Sequence, residues 1–440
     1  MKINLYCCAC VFFVRGIFPG PSMSQVAPAS RSSQTLTLAQ AEATALANQP
    51  RMLAAQLRGH ASAEKVRETK SGFFPTINFN ATGVQVADTG TSTAAGNITT
   101  SSISDRFAYG GSLTQLVTDF GRTSALVGSA RFTAEAQNDL ATLTRAQVRL
   151  NVRTGYYETL GAEAVLRAAL AAQANRRLIS RQISALAQSE LKSTLDVNFA
   201  KVLESEAELA VVRAQSAVAR QRAQLATAMG LQQPVTAVLS DVAPHQDKSL
   251  PPAPDDLLNE AQSQRADLSA AQAQQHAASE FALSEKRLSY PTLNVLASAG
   301  QIPYRDHTLH DDYAAAGFNL SIPVFNGGLF AARRNEAEQE AGAREHDVQQ
   351  LKLEVGEQVR DAWYSADEAY RSIDVTGRLL AQSKEALRLA QDRYEAGLGS
   401  IVELNEAQLN ETSAEIAAAD ATYTYLMRRA QLDFAAGLLN

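Results

Sequence analysis

Cysteine is scarce in this sequence, and its few copies lie at the N-terminus. The 440 residues contain three cysteines, Cys7, Cys8 and Cys10. Residues 1–29 are predicted to be an export signal peptide, because Lys2 precedes an apolar run and a small-residue cleavage region. A translation start nearer Met23 is the alternative. After cleavage no thiol remains, which excludes disulfides, cysteine–zinc sites and cysteine nucleophiles.

Long apolar runs, clustered positive charge and aromatic residues are also scarce. After the leader, no segment offers the roughly 18 consecutive apolar residues of a transmembrane helix. The formal net charge of −6 comes without clustered lysine and arginine, so no nucleic-acid partner is expected. One tryptophan and 6% aromatic residues argue against a thick globular core. Proline is absent from residues 120–230 and 328–438, whose composition is typical of long helices.

What the sequence does contain is a duplication. Pro75-Thr76-Ile77-Asn78 returns as Pro291-Thr292-Leu293-Asn294, and later residues match at a constant spacing of 207, the interval from Gly121 to Gly328. A register kept this long predicts coiled-coil helices, because one inserted residue rotates every later contact by about 100°. The predicted organisation is a first repeat (30–230), a proline-rich linker (231–253) and a second repeat (254–440).

Four segments alternate apolar and polar residues like β-strands, at about 75–87, 105–118, 291–303 and 313–325. Apolar-out, polar-in strands of about ten residues are typical of a transmembrane barrel wall, with two soluble amphipathic hairpins as the alternative. Four strands cannot close a barrel, and an open edge in lipid costs several kcal/mol for each unpaired backbone group. Strands that cross a membrane therefore require an oligomer: two copies give a filled eight-stranded barrel, and three give twelve strands around a channel. The segment between the first two strands, residues 87–104, is predicted to be an exposed loop.

Each half also contains three predicted helices. One precedes the strands (37–72 and 254–289), a long one follows them (121–188 and 328–395), and one returns (194–229 and 401–436). Apolar residues recur in sevens, which predicts left-handed supercoiling. Examples are Leu143, Leu150 and Tyr157; Val348, Val355, Ala362 and Ala369; and Leu409, Ile416, Tyr423 and Ala430. Because many of these residues are alanine, the helices are expected to form the wall of a hollow structure with neighbouring helices rather than a thick hydrophobic core.

In this order and duplication, several motifs resemble the TolC-like outer membrane efflux proteins. They are Phe74-Pro75-Thr76 and Tyr290-Pro291-Thr292 before the strands, Asp119-Phe120-Gly121 and Asn326-Gly327-Gly328 before the long helices, Tyr156-Tyr157 and Trp363-Tyr364 within them, and Leu195-Asp196-Val197 and Val402-Glu403-Leu404 in the returning helices. The resemblance covers about residues 36–440.

The resemblance implies a mostly α fold with a β-barrel section. It implies a homotrimer, in which a twelve-stranded barrel in outer-membrane lipid continues as a periplasmic α-helical barrel. The implied function is an exit duct for efflux or type I secretion, with a periplasmic adaptor (membrane fusion protein) and an inner-membrane transporter as partners. The cargo is not readable from the sequence.

The resemblance also implies roles for residues at the two turns that join the long and returning helices. Glu403 and Glu406 match acidic residues of a pore constriction, Tyr394 matches an aromatic that holds the mouth shut, and Asp196 is the repeat equivalent of Glu403. An alternative interpretation is that these acids simply suit the N-terminus of a helix dipole. The expected adaptor-docking tips are Glu190 and Leu191 in the first half and Gly397, Leu398 and Gly399 in the second. Gly399 replaces a basic residue that latches the closed state in the family, which puts that latch in doubt.

No enzyme, cofactor or metal is expected. The six histidines are scattered, and neither a phosphate-binding loop nor a nucleophile elbow is present. A loop holds metal-ligand residue types (Asp306, His307, His310, Asp311 and Asp312), but nothing there fixes ligand geometry, so a solvated tip is the interpretation. The alternative function, a soluble periplasmic coiled-coil adaptor or structural protein, explains the sevenfold pattern but leaves the strands unexplained.

Overall fold

The computed structural model describes residues 35–85, 90–93, 100–103, 106–190, 193–241, 253–304 and 310–440. The predicted leader, Leu191, residues 242–252 of the linker and part of the histidine-containing loop lie outside these residues.

The two halves contain the same major elements in the same order. The first half comprises β1 (Thr35–Leu36), α1 (Leu38–Asn48), α2 (Pro50–Lys70), β2 (Thr76–Val84), β3 (Gly90–Thr93), β4 (Thr100–Ile103), β5 (Arg106–Thr118), α3 (Arg122–Gln188) and α4 (Thr194–Ala228). The second comprises β6 (Val238–Leu239), α5 (Pro254–Gln264), α6 (Ala266–Lys286), β7 (Thr292–Tyr304), β8 (Asp312–Ser321), α7 (Leu329–Glu395) and α8 (Ile401–Ala435). The protein is mostly helical, with one main sheet.

Local signals fix the ends of the long helices, which lie within about a residue of the predicted ends. Gly121 and Gly328 precede α3 and α7 with left-handed φ angles of 89° and 85°. Asp119 satisfies the first turn of α3, where its carboxylate accepts a 2.7 Å hydrogen bond from the backbone N–H of Thr123. A side-chain acceptor at this place pairs an N–H group that the helix itself leaves unpaired.

The helices before the strands depart from prediction, because each is broken into two. In the first half Gln49 is extended, with φ −69° and ψ 117°, since the following Pro50 disfavours helical backbone at the residue before it. In the second half Arg265 is extended without a proline, and its Nη1 donates a 3.3 Å hydrogen bond to the carbonyl of Ala435. The single helices predicted over 37–72 and 254–289 were therefore wrong.

Four strands form one antiparallel sheet in the order β2–β5–β7–β8. Residues that pair directly across neighbouring strands point to the same face. One row of paired residues is Asn78, Ser112 and Ser298, and the adjacent row is Ile77, Leu113 and Ala297. The sheet thus has polar and apolar rows that alternate, and the backbones of β2 and β8 are its two edges.

The structure differs from the strand and linker predictions at three places. β8 ends at Ser321, four residues before the predicted end, because Pro323 cannot donate a ladder hydrogen bond. The predicted loop 87–104 contains a hairpin of β3 and β4. The linker contributes β6, which pairs in parallel with β1.

The largest apolar core lies at the level where these two short strands meet the helices. It includes Ala41 of α1, Tyr156 of α3, Leu225 of α4 and Tyr423 of α8, all buried. The hydroxyl of Tyr156 lies 2.8 Å from the carbonyl oxygen of Leu36 and 2.7 Å from that of Ser240, so it bridges the chain on either side of the β1–β6 pair. Burial, as the main cause, raises the pKa of Tyr156 to about 12.

Of the positions predicted from the heptad repeat, Val348, Val355 and Ala369 are buried, whereas Leu409 is half exposed in the single chain. None of the helices in the described part of the chain is both long and apolar enough to cross a membrane.

Candidate functional site

The second tip, between α7 and α8, brings Gly397, Leu398 and Gly399 together in one tight turn. Gly397 is left-handed at φ 72°. The backbone N–H of Leu398 donates a 2.8 Å hydrogen bond to the carbonyl of Arg393, which closes the end of α7 in the usual manner of a glycine-terminated helix. A Cβ at Gly399 would lie 3.2 Å from the backbone nitrogen of Tyr394, which is a tight contact. Leu398 is 75% exposed at the end of the hairpin.

The acidic residues lie just after this turn. Ser400 caps α8 by accepting a 3.1 Å hydrogen bond from the backbone N–H of Glu403. The carboxylate of Glu403 lies 3.3 Å from Nε of Arg393, at the end of α7. Glu406, one turn further along α8, is exposed. Glu403 is thus partly neutralised within its own chain, whereas Glu406 presents its charge to solvent.

Sequence reasoning missed Arg393. Its only signal was a basic residue in the last turn of a long helix, a common place for one because it complements the helix dipole. The structure therefore gives Glu403 a cationic partner from α7, although Gly399 has no basic side chain.

The first tip, between α3 and α4, has different chemistry. Glu190, at the repeat position of Gly397, is left-handed with φ 63°. Asp196 forms a capping box with Ser193, where its Oδ2 accepts a 3.1 Å hydrogen bond from the backbone N–H of Ser193. The structure thus gives Asp196 a capping role, and its pore role stays a prediction. Leu191 lies outside the described residues.

A groove of about 950 Å³ separates the end of α3 from the second tip. Its lining is mainly apolar and includes Ile183 of α3, Tyr394 of α7 and Leu404 of α8. Tyr394 is partly buried there. The groove places the predicted aromatic between the two hairpins.

A buried cation connects the two hairpins above this groove. Arg176 of α3 is 7% exposed, and its Nη1 donates a 3.1 Å hydrogen bond to Oδ1 of Asn405. Burial lowers the pKa of Arg176, while the charge of Glu206 opposes that shift. Sequence reasoning missed this residue as well. The available signal was an arginine at a core position of the heptad repeat, between buried Ala169 and Ile183.

No group of three or more metal-ligating side chains in the described ranges has the arrangement of a metal site. His310, Asp311 and Asp312 lie within those ranges, whereas Asp306 and His307 lie outside them.

Comparisons with known proteins agree with this architecture. The family model described as "Outer membrane efflux protein" matches residues 43–231 and 257–438. Outer membrane protein TolC of Escherichia coli (strain K12) is 24% identical over 431 residues, which cover 93% of this chain and 84% of TolC. TolC of Salmonella enteritidis is 24% identical over 202 residues, covering 43% of this chain and 41% of that protein.

Among solved structures, the outer-membrane channel OprN superimposes with a TM-score of 0.79 at 21% identity. The superposition covers 91% of this chain and 89% of OprN. At this identity the likeness establishes the fold.

Proposed function

Because the chain belongs to the outer membrane efflux protein family, and is therefore an efflux protein of the outer membrane, we propose that three copies form the exit duct of a tripartite efflux or type I secretion system. In this proposal an inner-membrane transporter supplies the cargo, and a periplasmic adaptor joins the transporter to the duct.

The observation that carries the proposal is the four-stranded sheet with two edges. β2 and β8 lie at its ends, and their apolar residues are open: Ile77 is 74% exposed and Phe318 is 76% exposed. Exposed apolar rows suit lipid, but unpaired edge backbone does not, because no water is available there to satisfy it. Neighbouring copies resolve this conflict by pairing the edges. Three copies supply twelve strands, enough to enclose a channel.

The helices extend the duct away from the sheet. α3 and α7 have 67 residues each, which corresponds to about 100 Å at the helical rise. Their returning partners α4 and α8 meet them at the tips, at the far end from the sheet. A ring of such hairpins from three copies would cross much of the periplasm, with its entrance at the tips.

At that entrance, three copies would bring together six carboxylates from Glu403 and Glu406. A ring of acidic side chains favours cations and attracts basic groups. Since Arg393 already pairs with Glu403, we expect Glu406 to contribute more to the field in the pore. The exposed Leu398, with Gly397, Gly399, Glu190 and Leu191 around the tips, forms the proposed docking surface for the adaptor.

The test is ion selectivity in planar bilayers. Replacing both acids, as Glu403→Ala with Glu406→Ala, should lower the preference for cations and change the single-channel conductance. Asp374→Ala is the matched control, because Asp374 is an exposed acid that also pairs with an arginine, Arg378, but lies far from the tips. Unchanged selectivity in the double variant would remove both acids from the pore. A purified chain that is monomeric and soluble without detergent would overturn the duct itself.

A further inference from the structure

A groove of about 660 Å³ lies where α2 ends and α3 begins, next to the sheet. Its lining comes from the end of α2, the first turns of α3 and Glu280 of α6. Phe73 and Phe74, which connect α2 to β2, also line it and are 44% and 66% exposed. This volume is within the usual range of small-molecule sites.

Both signs of charge surround this groove. Lys70, Arg131, Glu135 and Glu280 line it, and none of them forms an ion pair with another residue in the described part of the chain. The carboxylate of Glu280 lies over Gly128, where an added Cβ would be 3.0 Å from its Oε2. Two cations and two carboxylates thus face one space without partners.

The equivalent positions of the other half have different chemistry. Arg131 of α3 corresponds to Glu338 of α7. Glu280 of α6 corresponds to Glu64 of α2, which pairs with Arg67 at 2.7 Å. The unpaired charges around the groove are therefore not a general product of the duplicated fold.

The groove lies on the outer side of the proposed duct. Arg131 and Glu135 precede Val152 and Tyr156 by 21 residues, which is three heptads, so all four lie on the same side of α3. Val152 and Tyr156 are buried in the cluster that also contains residues of α1 and β6. An added layer of this kind must lie outside a duct, because inside it would fill the bore.

The groove also lies at the level of the membrane surface. Phe74 is two residues before β2, whose exposed apolar residues suit lipid. Arg131 is about 14 Å along α3 from its start, at 1.5 Å per residue. Side chains on a helix lean towards its N-terminus, so the long Arg131 side chain extends back towards the sheet and the lipid headgroups.

We propose that the groove binds the headgroup of a phospholipid that carries both a phosphate and a primary ammonium group. Lys70 and Arg131 bind the phosphate, and Glu135 and Glu280 accept hydrogen bonds from the ammonium. A lipid with a phosphate but no amine leaves both carboxylates without a cation. A quaternary ammonium has no N–H group to donate to them.

This proposal rests on the proposed function for the placement of the sheet in lipid. The groove itself is formed within one chain, since all the residues that line it belong to α2, α3, α6 and the segment before β2. Lipid binding and assembly can therefore be tested separately.

Native mass spectrometry of the full chain in mild detergent tests the site. The probes are phosphatidylethanolamine, phosphatidylglycerol and phosphatidylcholine with identical acyl chains. We expect about tenfold tighter retention of phosphatidylethanolamine than of the other two, the effect of one or two hydrogen bonds to charged groups. Equal retention of the three lipids would overturn the proposal.

Two variants separate the two parts of the site. Arg131→Glu, which introduces the residue of the equivalent position, should weaken the retention of both phosphatidylethanolamine and phosphatidylglycerol. Glu280→Gln should keep phosphatidylglycerol and lose the preference for phosphatidylethanolamine. Arg334→Glu, the same charge reversal at an exposed position near the start of α7, is the control and should change neither. Equal losses in Arg131→Glu and Arg334→Glu would refute the site.

Glu280→Gln is nearly isosteric, so it carries the test if Arg131→Glu does not fold. The same spectra count the chains in each particle. A trimer that retains the three lipids equally overturns the lipid site and leaves the duct. A monomer that prefers phosphatidylethanolamine overturns the duct and supports the lipid site.

Discussion

Glu190 and Gly397 have the same left-handed backbone, with φ angles of 63° and 72°, at equivalent positions of the two tips. All eight positive-φ residues in the described part of the chain form such pairs: Phe120 with Gly327, Gly121 with Gly328, Glu190 with Gly397, and Gly230 with Gly437. The two halves thus have the same backbone shape even at the two positions where the first half has Phe120 and Glu190 and the second half has glycine.

Substitutions at the two left-handed tip positions, Glu190 and Gly397, should have opposite effects on stability. Glu190→Gly should stabilise the first hairpin by up to about 1 kcal/mol, because a non-glycine residue in the left-handed region costs roughly 1–2 kcal/mol and added chain entropy offsets part of the gain. Gly397→Ala should destabilise the second hairpin by about 1 kcal/mol for the same reason. Limited proteolysis at the tips measures both. Equal cleavage rates in the two variants would contradict the backbone argument.

Arg393 should reduce the negative potential at the proposed mouth. Arg393→Gln removes the cation 3.3 Å from Glu403, so the preference for cations should rise, the reverse of the effect of removing the acids. The change in stability should stay below about 1 kcal/mol, because both side chains are largely exposed. Reversal potentials under a salt gradient measure the preference. Arg388→Gln, an exposed arginine paired within α7, is the control. A fall in cation preference would refute this role.

The buried link between Arg176 and Asn405 should show coupling in a double-mutant cycle. Arg176→Met alone leaves the side-chain oxygen of Asn405 without its donor. We expect the free energy of unfolding to fall by about 1–3 kcal/mol. Combining it with Asn405→Leu should recover part of that loss, since neither polar group then remains unpaired. Purely additive effects of the two changes would show that the contact carries no energy.

The hydroxyl of Tyr156, and not its ring, should stabilise the pairing of β1 with β6. Tyr156→Phe keeps the ring in the core but leaves the carbonyls of Leu36 and Ser240 without their bridge, at a cost of about 1–3 kcal/mol. The apparent melting temperature and protease sensitivity near residues 35–36 report the change. Tyr157→Phe, at the adjacent ring, is the comparison. An unchanged Tyr156→Phe variant would show that the bridge is dispensable.

Stability should depend on pH through Glu411. Burial, then the charge of Glu415, raise the pKa of Glu411 above its ordinary value of 4.5, while Lys384 lowers it. The folded state therefore binds this proton more tightly than the unfolded state. The resulting contribution to stability is complete at low pH and declines as the pH rises above about 4.5. Glu411→Gln should flatten the decline that begins as the pH rises above about 4.5. Lys384→Gln should steepen it. The same slope in all three proteins would exclude Glu411 as the cause.

Features set by neighbouring residues were predictable from the sequence, and those set by distant contacts were not. The start of α3 follows from Gly121 and the carboxylate of Asp119, and the start of α7 follows from Gly328. The break at Gln49 was readable from Pro50, whereas no proline follows Arg265, whose side chain contacts Ala435 in another helix. At the site, the positions of Glu403 and Glu406 came from resemblance. The Arg393–Glu403 pair depends on how the turn folds, which no local pattern specifies.

The pairing of β1 with β6 has a consequence for biogenesis. Thr35 and Leu36 lie at the start of the described chain, and their partners Val238 and Leu239 lie some 200 residues later. A polypeptide that crosses a membrane starting from its amino end delivers the first partner long before the second. The β1–β6 pair therefore cannot form until the midpoint of the chain has emerged.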